Sequence, residues 1–307
     1  MTDTITGIAR RQNSPHVALA LVETWRAVRH PAILLGAAVG AVLLIGPWLD
    51  LVEPTQQYVN ETYDLIWVGW SPLYLGAFIA ANMIANRERD GTTSELFRGM
   101  PADLAQRTRG ILMAVAGPAA LAAILAAAQR SLIAAAGGFT AGSRPNIAKV
   151  VPTWPETLTP AIITIGAFVA GVAVARTTQS RSIAMVFGGL FAFTFFVGYW
   201  MWWRFPFIVV VPAPLPYGYD DLGATLEQVE VADSALTVFD ASSTTWYGIE
   251  PGLSVPVAGH LVYLAGVALL MAAWALRRSG AAPVRLALSG VFLTVIGVVT
   301  QVVAHYA

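Results

Sequence analysis

"ANRERDGTTSELFRGMPADLAQRTRG", residues 85–110, is the most charged stretch of an otherwise apolar chain. It gathers Arg87, Glu88, Arg89, Asp90, Glu95, Arg98, Asp103, Arg107 and Arg109 in a chain of 307 residues of which only 12% are charged. Long apolar segments flank it on both sides, at about 65–85 and 110–136. Charge confined between two such segments reads as a loop kept in water between two helices kept out of it.

A helix needs about 20 apolar residues to cross the hydrocarbon core of a bilayer. Seven segments meet that length, at roughly 31–49, 65–85, 110–136, 159–176, 182–203, 256–276 and 286–304. The chain is 56% hydrophobic, with a mean hydropathy of +0.63, whereas about a quarter of a soluble domain is charged. The expectation is an all-α integral membrane protein of six to seven transmembrane helices. An in-plane interfacial helix precedes them, and an extended outer segment comes before the sixth span.

Arginine placement orients the spans, because basic residues near span ends stay cytoplasmic. Arg10, Arg11, Arg26 and Arg29 precede the first span, and the arginines of 87–109 lie between the second and third. Arg176 and Arg181 flank the fourth-to-fifth turn, and Arg277, Arg278 and Arg285 follow the sixth span. The opposite loops hold only Arg144, Lys149 and Arg204. This predicts a cytoplasmic N-terminus and a cytoplasmic 85–110 loop. Trp48, Tyr58, Tyr63, Trp67, Trp70 and Tyr199 to Trp203 gather at the other face, where amphipathic rings favour the headgroup region. Few lysines among many Ala, Arg and Val residues point to a multi-pass protein of a bacterial plasma membrane.

The expected organisation is as follows. Residues 1–30 form a cytoplasmic N-terminus with the interfacial helix, in which Val17, Leu21, Trp25, Val28 and Ala32 recur at helical spacing while Glu23, Arg26 and Arg29 point elsewhere. Residues 31–136 hold the first three spans and the cytoplasmic loop 86–109. Residues 137–203 supply an outer loop and spans four and five, 204–255 an acidic extracytoplasmic segment, and 256–307 spans six and seven. The acidic segment reads equally as a cap over a path or as a solvated linker.

Within the loop, Gly91 permits a turn, Thr92 sits at capping-box distance from Glu95, and Pro101 stops the short helix they begin. Leu96, Phe97 and Met100 give it an apolar edge, and Asp103 can cap the helix that becomes the third span. Such an element suits docking to another protein; a solvated hairpin obeying the charge rule would carry similar residues.

Arg87-Glu88-Arg89, Gly91-Thr92, Glu95-Leu96 and Pro101 together resemble the first cytoplasmic loop of the membrane-spanning permease subunits of ATP-binding-cassette exporters of the second type. The likeness covers the N-terminal half by motif and the C-terminal half by span layout. It implies a coupling helix seated in a groove of a cytoplasmic ATPase subunit. Arg87, Glu88, Arg89, Gly91, Thr92, Glu95, Leu96, Phe97 and Arg98 are then the coupling residues, with Thr92 to Arg98 as the seated helix. It further implies a second permease subunit, the same or different, and a lipid bilayer around both. Six spans are usual in that family, so the segment "VRLALSGVFLTVIGVVTQVVAHYA" goes beyond its pattern.

The chain itself carries no P-loop, since its single lysine lies in "NIAKVV", and it has neither His-Glu-x-x-His nor Gly-x-Ser-x-Gly. The chain is therefore expected not to be an enzyme and to need no cofactor or metal. Cysteine is absent, which removes disulfides and thiolate metal sites. A net charge of zero leaves no footprint for nucleic acid. His16, His30, His260 and His305 are scattered and read as interfacial histidines. Arg130, about 30 Å along the third span, reads as snorkelling to the outer interface. Gly36 and Gly40 form a GxxxG, a spacing that lets helices approach closely, though in so Ala-rich a chain it does not establish a dimer seam. The alternative to a permease is a non-enzymatic membrane scaffold or sensor with an acidic outer segment.

Overall fold

The computed structural model describes residues 15–45, 69–89, 102–136, 139–143, 146–152, 154–178, 219–221 and 254–306, with Val186 and Leu190. Its helices are α1 Pro15–Val28, α2 Pro31–Ile45, α3 Ser71–Asn86, α4 Leu104–Met113, α5 Ala116–Ala135, α6 Trp154–Thr177, α7 Ser254–Arg278 and α8 Val284–Tyr306. A 3-10 turn, Arg87–Arg89, continues α3. Most of the predicted fifth span, 182–203, lies outside the described residues.

Among the described residues, four helices are long and apolar enough to cross a membrane, or up to five if the bent pair α1–α2 counts as one. That is compatible with a multi-pass membrane protein and is fewer than the six to seven expected. Leu104–Ala135 passes as one candidate span of 32 residues that includes most of the third apolar segment and starts at the helix Asp103 was expected to cap. At 1.5 Å per residue it is about 48 Å long, more than the thickness of about 30 Å of a hydrocarbon core. A turn at Ala114–Val115 interrupts it, because Pro118 has no N–H to give the Ala114 carbonyl.

α6 is the central helix and packs against α3, α5 and α7, while α8 packs chiefly on α7. Phe168, Tyr74, Leu73, Ile33 and Ile133 are the large side chains of the core. Elsewhere the contacts run through small residues, as expected where lipid competes with side chains and only close backbone approach adds packing. A Cβ built at Gly36 would meet the Pro72 carbonyl oxygen, and one at Gly76 the Ala32 carbonyl oxygen. The GxxxG of α2 therefore seals α2 to α3 inside the chain. The Asn82 amide reinforces the α3–α6 contact by donating to the Gly171 carbonyl at 3.2 Å.

α1 meets α2 at 46°, between a straight extension of the first span and a helix lying across it. Of its predicted apolar stripe Leu21 and Trp25 are exposed, whereas Val17, Val28 and Ala32 are half-buried. The inward face is Ala20, Glu23 and Ala27, all buried. Leu19 covers Gly110, and Thr24 and Val28 cover Gly117.

The expectation of an all-α chain needs one correction. Phe139–Ser143, Asn146–Pro152 and Tyr219–Asp221 form a three-stranded antiparallel sheet in the order β1-β2-β3. β3 belongs to the acidic segment and pairs Asp221 with Val150 and Tyr219 with Pro152, so backbone bonding ties that segment to the connection between α5 and α6. Arg130 holds the same connection. Its Nε donates to the Pro152 carbonyl at 2.9 Å, and its guanidinium lies 4.6 Å from the centre of the Trp154 ring. Arg130 therefore has a specific intramolecular seat at the end of α5.

α7 ends in a paired turn. Gly280 has φ 87°, its N–H reaches the Arg277 carbonyl and that of Ala281 the Leu276 carbonyl. This Schellman pattern favours glycine because only it adopts the left-handed conformation freely. The turn sends α8 back along α7, matching the predicted sixth and seventh spans.

Candidate functional site

The charged loop enters the structure through the 3-10 turn Arg87–Arg89. Arg87 caps α3, its N–H bonding the Met83 carbonyl. A 3-10 turn winds more tightly than an α-helix, and here its successive side chains are delivered to different neighbours.

Glu88 turns into the bundle. Arg176, in the last turn of α6, approaches it with Nη2 at 3.2 Å from Oε1 and Nη1 at 3.3 Å from Oε2. Arg107 of α4 adds Nε at 3.4 Å from the same Oε1. The Arg176 and Glu88 side chains are only 2% and 8% exposed. Removing these charges from water costs several kcal/mol per ion, which excellent geometry must offset. The rest of Arg176 is satisfied accordingly: Nη1 also donates to the Ala85 carbonyl at 3.1 Å and Nε to Thr108 Oγ1 at 2.9 Å. Thr108 Oγ1 lies 2.8 Å from Ser279 Oγ, beside the turn that ends α7. One buried carboxylate thus gathers the ends of α3, α4, α6 and α7.

Arg87 turns the other way. Its Nη2 lies 2.7 Å from Oε1 of Glu23 on α1, and Arg26 shares that oxygen at 3.0 Å. Glu23 is buried, and its Oε2 has no hydrogen-bond partner. The two clusters together anchor the start of the 90–101 loop to α1, α4, α6 and α7. At the loop's far end Asp103 caps α4 as expected: its Oδ1 accepts from the Gln106 N–H at 2.7 Å, and Gln106 Oε1 accepts from the Asp103 N–H at 3.1 Å.

Of the residues expected to couple to a partner, Arg87 and Glu88 are placed, and both are engaged within the chain. Arg89 lies in the turn, with only its backbone described. Gly91, Thr92, Glu95, Leu96, Phe97 and Arg98 lie outside the described residues, as does the Thr92–Glu95 capping box. Glu23 and Arg176 were read from the sequence only as a polar position of the first helix and a charge flanking a turn, and Thr108 and Ser279 were not singled out. A weak signal existed: a lone acid in an amphipathic helix, and an arginine one turn inside an apolar one.

This arrangement can lock helix ends and transmit displacement. It contains no nucleophile beside a base, and among the described residues no group of three or more His, Cys, Asp or Glu side chains could hold a metal. His260 is buried, its Nδ1 3.0 Å from Gln301 Oε1 across the α7–α8 hairpin. Comparison with protein-family models, with curated proteins and with solved structures finds no match to this chain.

Proposed function

We propose that the chain is the membrane-spanning permease subunit of an ATP-binding-cassette exporter of the second type, moving its substrate with ATP hydrolysed on a separate cytoplasmic subunit. The observation that carries the reading is the rooting of the 90–101 loop through Arg87 and Glu88. A loop pushed by a partner does work on the bundle only if its base is stiff. Charge-assisted hydrogen bonds to Glu23 and Arg176 make it so, and through them a displacement reaches four helices beside α3. In this reading residues 92–98 meet the ATPase, Arg87 and Glu88 convey its motion inward, and α1 rests at the cytoplasmic interface.

The test is a gentle-detergent purification of the full chain from native membranes. A stoichiometric P-loop ATPase should copurify, and should be lost when residues 92–98 become a Gly/Ser linker. If no ATPase copurifies in several detergents, the permease reading fails and a membrane scaffold is the better account.

A further inference from the structure

We propose that the corner between α1 and α2 binds the phosphate of an anionic bilayer phospholipid, with Arg29 and Trp25 as the recognition pair. The Arg29 guanidinium lies 3.7 Å from the centre of the Trp25 ring, and both residues are exposed. Stacking on the indole holds the fork flat and leaves its N–H edges directed away from the ring. No carboxylate pairs with Arg29 among the described residues. Glu23, the acid of the same helix, is turned inward and taken by Arg26 and Arg87.

The surroundings of the pair are apolar on the outward face. Leu21 and Val22 are exposed before it on α1, and Leu34 and Leu35 after it on α2. The N–H edges of the exposed Arg29 guanidinium are accessible to an anion, and a phosphate accepts two parallel N–H bonds from the planar fork. The wider charge pattern points the same way. Of the carboxylates described at this end, Glu23 and Glu88 are buried in ion pairs and Asp103 caps α4. Arg109, Arg277, Arg278 and Arg285 remain exposed. With Glu23 and Glu88 buried and the exposed Asp103 taken up in the α4 cap, the arginines outnumber the exposed carboxylates described at this rim. An apolar face beside an unpaired cation fits a molecule with acyl chains and an anionic head, which is a phospholipid rather than free phosphate. The inference stands independently of any transport role.

The full chain, reconstituted in phosphatidylcholine nanodiscs, is labelled with trace photoreactive phosphatidylglycerol or phosphatidylcholine carrying the same headgroup-proximal diazirine, and cross-linked peptides are mapped. The phosphatidylglycerol probe should label residues 15–35 several-fold more than its neutral twin. Arg29→Gln should lower that enrichment about fivefold, the effect of one arginine at a charged membrane surface, and Arg285→Gln should leave it unchanged. Arg29 makes no described ion pair, so its loss is not expected to unfold the chain; equal gel-filtration profiles verify that. Equal labelling by the two probes, or an equal fall in both variants, overturns the proposal. So does full competition by millimolar glycerophosphate, because a soluble head would then suffice without the apolar face.

Discussion

Arg87 and Glu88 are adjacent in the chain yet belong to different ion-pair clusters: Arg87 Nη2 lies 2.7 Å from Glu23 on α1, and Glu88 Oε1 lies 3.2 Å from Arg176 on α6. One peptide unit therefore joins two charge clusters. A displacement of this peptide unit disturbs both.

The Glu88–Arg176 pair should be strongly coupled. Glu88→Ala leaves two arginines facing each other with little water, at a cost of about 3–5 kcal/mol. Replacing both Glu88 and Arg176 with Gln and Met should cost less than the sum of the single changes. A double-mutant cycle by thermal unfolding in detergent measures this, and additivity would show that the pair is not a working contact.

Glycine substitutions should separate by position. Gly36→Ala drives a methyl into the Pro72 carbonyl and should destabilise by about 1–3 kcal/mol through forced helix separation. Gly166→Ala on α6 meets nothing within 4 Å and should be neutral or stabilise by about 0.5–1 kcal/mol. Equal effects on melting would mean that α2 and α3 do not approach this closely.

Asp103→Ala should cost about 0.5–2 kcal/mol, because it leaves the Gln106 N–H without its acceptor, and Asp103→Asn should recover most of it. In the permease reading the same change loosens the far end of the loop. Hydrogen exchange of the 104–108 amides is the direct measure: faster exchange in the alanine variant only is expected.

His30 supplies a pH dependence. It lies outside both helices at the α1–α2 corner, where its Nδ1 accepts the Ala32 N–H at 3.2 Å and caps α2. Burial holds its pKa below the usual histidine value of about 6.5. The folded state thus prefers neutral imidazole. Its contribution to stability is complete above the unfolded pKa and declines as pH falls through that value toward the folded one. Melting temperature should drop below about pH 6.5, and His30→Asn, which keeps a cap without titrating, should flatten that limb. An unchanged acid limb in the variant would remove His30 as its cause.

Local information in the sequence was enough for several features. The sixth and seventh spans agree with α7 and α8 because lipid-length apolar runs need no partner to be recognised. Asp103 was legible as a cap because a capping box is complete within four residues. The helical periodicity of α1 was legible, but Val28 of its apolar stripe packs on Gly117 and the opposite face holds the buried Glu23.

Read alone, the chain shows apolar runs of spanning length, charge concentrated between two of them, and arginines recurring at 87–109, 176 and 277–285. The tertiary structure alone decided the partners. Glu88 meets Arg176 only because α3 packs on α6, the GxxxG seals α2 to α3 because Pro72 and Gly76 lie opposite, and Arg130 finds Pro152 because β2 returns beside α5. Hydrophobicity and capping act within a few residues, whereas pairing a buried charge depends on which helix ends the packing brings together.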